Sequence, residues 1–282
     1  MQNKMTSKSI KCLDLFSGCG GMSLGLSWAR HGTRSIESIA AVDNWAAACD
    51  TYERNLGVAP RVEGVSAELV SDILDDVGSV DLVVGGPPCQ GFSTSGKRAL
   101  SDKRNHLVKS FFDAVEIAQP KAFIMENVTG FTTFQNGQIF KEVLHRAQEL
   151  GFEVHPGILL ASRFQVPQRR RRFILVGTKV GRFTFPGQTN LDPLLSGPLE
   201  VDQKFDAGFD VVSFDQATSD LPRLAAGEQV EKYSKMPQNE FQRWIRKGSK
   251  IPLDHVSPNH NPKFVELLSY IPQGKSAFDA EV

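Results

Sequence analysis

IKCLDLFSGCGGMSLG, residues 10–25, starts as an apolar run, passes through a turn holding three glycines, and ends as the opening of a helix. A strand that feeds a glycine-rich turn and then a helix is the ligand-binding corner of an open α/β sheet. Gly18, Gly20 and Gly21 would let the backbone come close to a ligand. Ser23 stands where G-x-G-x-x-G would place its third glycine, which argues against a dinucleotide pyrophosphate. A tight turn that binds nothing is the plainer alternative.

The pattern continues outward from this corner. Residues 10–16, 35–43, 80–86, 121–128 and 171–178 read as strands, and segments near 22–31, 45–56, 66–76, 104–118 and 137–150 read as amphipathic helices. Strands whose apolar residues run almost unbroken are buried on both faces. The expected fold is therefore α/β, an open, doubly wound, mostly parallel sheet over residues 1–180. Residues 181–282 form an incomplete C-terminal appendage that begins as a connector. Nine of the fifteen prolines lie there, and periodicity fades. Asp43 closes the second strand and could accept hydrogen bonds from ribose hydroxyls, with Asn44 and Trp45 placed to line an adenine pocket.

Composition narrows the class. No apolar stretch approaches the ~18 residues that would suggest a membrane helix, and the polar N-terminus lacks the apolar core of a secretory signal. Four cysteines without a pairing pattern suit a reducing cytoplasm. With no C-x-x-C, no metal site is expected, and His255 and His260 read as surface residues. A net charge of zero argues against coating nucleic acid by bulk charge. Local basic clusters remain, at Lys97, Arg98, Lys103 and Arg104, and at Arg169 to Arg172.

GGPPCQGFS, residues 85–93, follows the third strand directly. Pro87 and Pro88 fix their own φ angles, and Pro88 restricts Pro87 as well. The flanking glycines permit turns that other residues resist. The result is a stiff pedestal suited to aiming the Cys89 thiol as a nucleophile; the alternative is a buried structural cysteine. Glu126 ends the fourth strand at the same rim. In QRRRR, residues 168–172, an extended chain would put Arg170 and Arg172 on one face. A solvated basic patch is the other reading.

DLFSGCGGMSLG, GGPPCQGFS, ENV and QRRRR, in this order, resemble the ordered motifs of the cytosine-C5 DNA methyltransferases, strongly over residues 10–180 and more weakly beyond. The resemblance implies S-adenosylmethionine as methyl donor, lined by Phe16, Gly18, Gly20, Gly21, Asp43, Asn44, Pro88 and Leu107. It implies that Cys89 adds to carbon 6 of the cytosine and that Glu126 contacts N3 and the exocyclic amine. Arg170 and Arg172 would hold O2 and position Glu126. The base is taken from duplex DNA by flipping, and the loop QGFSTSGKRALSDKR would close over the backbone. Asn44 departs from the aromatic residue often found beside the acid, and either Val65 or Asp72 stands where an adenine-binding acid is usual. After SDLPRLAAGEQVEKY and HVSPNHNP, which look like the approach to a recognition region, the family's closing motifs are not seen. The resemblance thus implies a second polypeptide or a truncation, with apolar surface exposed where the remainder would pack. The alternatives are cytosine methylation in RNA and a cofactor- or DNA-binding fragment without catalysis.

Overall fold

The computed structural model describes residues 9–88, 106–185, 199–200, 211–272 and 274–279. Two compact units are present, one of residues 1–163 and 169–207, the other of 164–168 and 208–282.

The first unit is built on a nine-stranded sheet: β1 (Ser9–Leu15), β2 (Arg30–His31), β3 (Arg34–Asp43), β4 (Arg61–Val62), β5 (Leu82–Gly85), β6 (Ala122–Asn127), β7 (Glu153–Leu160), β8 (Arg171–Thr178) and β9 (Leu199–Glu200). The order is β2-β3-β1-β5-β6-β8-β7-β9, with β4 paired to β3. β3, β1, β5 and β6 are parallel, and β8 runs antiparallel between β6 and β7. The chain leaves β1 toward β3 and later returns to its other side at β5, so the switch point of the sheet lies between β1 and β5.

Helices α1 (Gly21–Trp28), α2 (Ala46–Leu56), α3 (Ala67–Val77), α4 (His106–Ala118) and α5 (Gln138–Glu149) connect these strands. Alternation along the strands separates two apolar layers. Leu13, Leu15, Val83, Phe123 and Met125 join one core with Phe111 and Phe112 of α4 and Leu144 of α5. Cys12, Leu82 and Val84 face the other way, against Met22 and Leu26 of α1. Phe123 is the hub of the larger layer, in edge-to-face contact with Phe111, Phe112 and Phe152.

Five strands and five helices match the sequence expectation, and four further strands, the short β2, β4 and β9 and the longer β7, were not expected. α1 stops at Trp28 because Arg30 and His31 turn back through Gly32, which sits at φ +60, and pair antiparallel with Arg34 and Ser35. β7, over EVHPGILL, was not expected. Pro156 and the polar His155 interrupt its apolar pattern, yet both are buried, and Pro156 pairs with Leu175 of β8.

Gly85 shows how tightly the switch point is packed. A Cβ there would lie 2.5 Å from the carbonyl oxygen of Leu15 and 3.0 Å from Phe111 Cε2. The obstructing oxygen is main chain of the neighbouring strand and has little room to move. Gly85→Ala is therefore expected to destabilise the protein by about 3 kcal/mol, read as a lower urea midpoint at unchanged slope.

The second unit is mostly irregular. It contains α6 (Phe214–Thr218), α7 (Glu240–Ile245) and α8 (Pro262–Ser269), with an isolated antiparallel bridge between Gln229 and Val256. Ser213, Asn239 and Asn261 cap the three helices through their side chains. No residue of α8 is buried, and Phe264, Val265, Leu267 and Leu268 are each exposed.

Candidate active site

The carboxyl ends of β1, β3, β5 and β6 form one rim. β1 delivers the glycine turn. Phe16 takes φ +55 and Gly18 φ +52, while Gly20, at φ +86, caps α1 and Gly21 begins it. A non-glycine residue at positive φ is uncommon, and Phe16 is held there by packing against the larger core. The Gly18 amide donates to Asp43 Oδ2 at 2.8 Å and the Trp45 amide to Oδ1 at 2.9 Å. Asp43 thus ties the ends of β1 and β3 together, and each oxygen retains a lone pair for another donor. Asn44 and Trp45 are exposed beside it.

Two features of this corner escaped the sequence reading. Among the described residues Ser17 Oγ is buried with no hydrogen-bond partner, in the turn where a ligand's polar group would satisfy it. Beneath the turn, Asp14 is almost fully buried and accepts from Ser23 Oγ at 2.5 Å and from the Tyr52 hydroxyl, which meets Ser38 Oγ at 2.6 Å. Ser23 replaces the third glycine because its hydroxyl is needed here. Tyr52 also abuts Gly20, where a Cβ would approach its ring at 2.8 Å. A lone serine between Phe and Gly carries no pattern that announces an orphaned hydroxyl. Asp14 could have been noticed as the polar residue inside an apolar strand.

Burial raises the Asp14 pKa to about 7, partly opposed by the Ser23 and Tyr52 hydrogen bonds. The folded protein keeps this proton at pH values where the unfolded chain, titrating near 3.8, has lost it. The resulting stabilisation is complete below pH 4 and is lost as pH rises toward 7, at about 1.4 kcal/mol per pH unit. Asp14→Asn is expected to remove that dependence, so its stability relative to the parent should climb between pH 4 and 7 in urea titrations.

The second cluster lies at the ends of β5 and β6. β8 is antiparallel to β6, so its N-terminal end reaches this rim: Asn127 pairs with Phe173 and Glu126 with Ile174. Arg172 Nε then meets Glu126 Oε1 at 2.6 Å. Arg170 is exposed just before β8, its carbonyl bonded to the Ala161 amide. Burial raises the pKa of Glu126, and the positive charge of Arg170 pulls against it. Glu126 Oε2 would lie 3.2 Å from a Cβ on Gly86. Buried Asn127 donates through Nδ2 to the Pro87 carbonyl at 3.3 Å, while its Oδ1 accepts from the Val128 amide. The β6 end therefore holds the Gly86–Pro87 segment against the Glu126 carboxyl.

Cys89 and the loop of residues 90–104 lie outside the described residues. Pro88 is exposed and Leu107 half-buried on either side of that gap; neither hydrogen-bonds to the glycine turn among the described residues. Val65 is buried in the core, and Asp72 is exposed on α3.

Comparison with known proteins gives a consistent picture. The family model of C-5 cytosine-specific DNA methylases matches residues 10–246. The type II methyltransferase M.DdeI of Desulfomicrobium norvegicum is 34% identical over 94% of this chain and 61% of its own length. M1.HphI of Haemophilus parahaemolyticus is 32% identical, over 94% and 62%. A crystal structure of a candidate DNA modification methyltransferase encoded within an E. coli prophage superposes with a TM-score of 0.61 at 25% identity, covering 83% of this chain and 63% of that one. The chain spans about three fifths of the length of the curated relatives it matches. No helix among the described residues is long and apolar enough to cross a membrane.

Proposed function

The chain belongs to the C-5 cytosine-specific DNA methylase family, and on that premise we propose that it transfers a methyl group from S-adenosylmethionine to carbon 5 of a cytosine flipped out of duplex DNA. The observation that carries this reading is the half-buried Glu126 carboxyl, gripped by Arg172 and set against Gly86, three residues before Cys89.

Carbon 5 of cytosine is a weak nucleophile. Addition of the Cys89 thiolate forms a bond from Sγ to carbon 6 and pushes electron density onto carbon 5 and N3. Glu126, its carboxyl kept protonated to higher pH by burial, gives N3 a proton as that charge develops. Arg172 orients the carboxyl, and Arg170 and Arg172 hold the cytosine O2. After methyl transfer to carbon 5, a base removes the carbon-5 proton, the bond from Sγ to carbon 6 breaks with its electron pair returning to the thiolate, N3 gives its proton back to Glu126, and the ring is restored.

S-adenosylmethionine supplies the methyl group on a positively charged sulfur, an electrophile the activated ring can attack. The residues at the glycine turn suit it: open backbone at Gly18 and Gly21, remaining lone pairs on Asp43 for ribose hydroxyls, exposed Trp45 for the adenine face, and the unpartnered Ser17 hydroxyl. Phe16, Gly20 and Asn44 complete the turn, with Pro88 and Leu107 on the side of Cys89. Ser17→Ala is expected to weaken S-adenosylmethionine binding about tenfold while leaving the ligand-free protein as stable or slightly more so. Calorimetric titration and thermal melting would check the pair of results.

The relatives' remaining two fifths is where we assign the recognition region and the closing motifs, on this chain's continuation or on a second polypeptide. The exposed apolar side chains of α8 support a packing partner for the second unit.

Incubation with methyl-labelled S-adenosylmethionine, and with duplex DNA and transfer RNA as parallel substrates, tests the function. Label is expected in the cytosines of the duplex. Label confined to transfer RNA would sink the proposal.

A further inference from the structure

The second unit contains a cavity of about 740 Å³ whose walls come from α6 and from the segments 219–223 and 234–235, with His255 beside them. Its character is cationic and hydroxylic, with an aromatic edge. Arg223 and Lys235 both line it, both are exposed, and neither side chain is in an ion pair among the described residues. Ser219 lines it too. Its Oγ accepts from Gln242 Nε2 at 3.0 Å, so its own proton remains free to donate. Phe214, at the rim, is 74% exposed.

These walls are held by a buried polar network that a merely solvated loop would not need. Gln242 is fully buried, donating to the Gln216 carbonyl and accepting from the Gln238 amide. Asp220, 2% exposed, pairs with Arg246 at 2.9 Å, and its carbonyl accepts from both the amide and the hydroxyl of Ser234. Arg246 also donates to the Lys235 carbonyl and lies over the Tyr233 ring. Fixing positions 219, 220, 234 and 235 to one another sets the backbone from which Arg223 and Lys235 project.

One carboxylate, Asp215, shares the cavity. Two cations against one anion leave a single net positive charge. That balance suits a singly charged phosphodiester better than a free phosphate or nucleotide of higher charge. Cations, a free hydroxyl and an exposed aromatic ring together match a nucleic-acid strand, the ring offering an apolar wall for a sugar. We propose that this cavity binds one backbone phosphodiester of the DNA substrate, through Arg223, Lys235 and Ser219. The inference rests on the reading that the chain acts on DNA. It adds a sequence-independent anchor carried by the second unit.

The test is binding of a fluorescent 20-base-pair duplex to the full chain across a salt series, by anisotropy. Arg223→Ala combined with Lys235→Ala is expected to weaken binding roughly tenfold. The slope of log affinity against log salt should shrink by about 0.9, the loss of one phosphate contact. Asp215→Asn should tighten binding about threefold, a gain that damage to the fold would not produce. An unchanged slope in the double variant, or no gain from Asp215→Asn, overturns the site and leaves the methyl-transfer reading standing. So does a parent chain that binds no duplex at any salt. A parent chain that binds with the expected slopes but places its label only in transfer RNA supports the site and sinks the DNA methyl-transfer reading.

Discussion

Cys89→Ser should lower methyl transfer to duplex DNA by ~10⁴-fold or more while S-adenosylmethionine still binds. The serine hydroxyl has nearly the size of the thiol but gives up its proton far less readily, so it does not supply the anion that must add to carbon 6. The change leaves the cofactor corner intact, because Gly18, Asp43 and Trp45 hold one another through backbone amides on β1 and β3. The variant should also fail to form a denaturation-resistant complex with duplex DNA carrying 5-fluorocytosine, in which the fluorine blocks the final proton loss and would trap a thiol adduct. Single-turnover kinetics and a denaturing gel would measure the two effects. Retention of even a tenth of the parent rate would remove Cys89 from the chemistry.

Glu126→Gln should cost roughly 10²- to 10⁴-fold, the range expected when a positioned proton donor is lost. The amide keeps the shape of the carboxyl but cannot release a proton to N3, and it leaves Arg172 facing a neutral group. The pH profile separates these losses. Burial raises the Glu126 pKa, so the protonated, donating form persists to higher pH and is lost as pH rises through the raised value. On the methyl-transfer reading the parent protein should show a falling alkaline limb from this group, and the Gln variant should not. A Gln variant that loses activity but keeps the limb unchanged would show that Glu126 only positions the base.

Apolar runs and glycine or proline punctuation made the parallel half of the sheet readable, because those strands are buried on both faces. β7 was hidden by His155 and Pro156, whose burial is a tertiary fact. The placement of Glu126 at a strand end, and of the arginines just before a strand, was also readable. Their meeting depends on β8 running antiparallel to its neighbour, which no local pattern encodes. The roles of Asn127 as a clamp on Pro87 and of Ser17 as an unpartnered hydroxyl required coordinates. Both are defined by what lies across space, a carbonyl forty residues away for the first and no partner among the described residues for the second.

The antiparallel insertion of β8 has a consequence for biosynthesis. Along the chain β8 follows both of the strands it separates, β6 and β7. Until residues 171–178 have emerged from the ribosome, both of those strands present an open edge. Glu126 is without Arg172 for the same interval. β8 thus joins the two strands and delivers the counter-charge in one event. A chain interrupted before that event carries the Cys89 thiol and the glycine turn but lacks the Glu126–Arg172 pair.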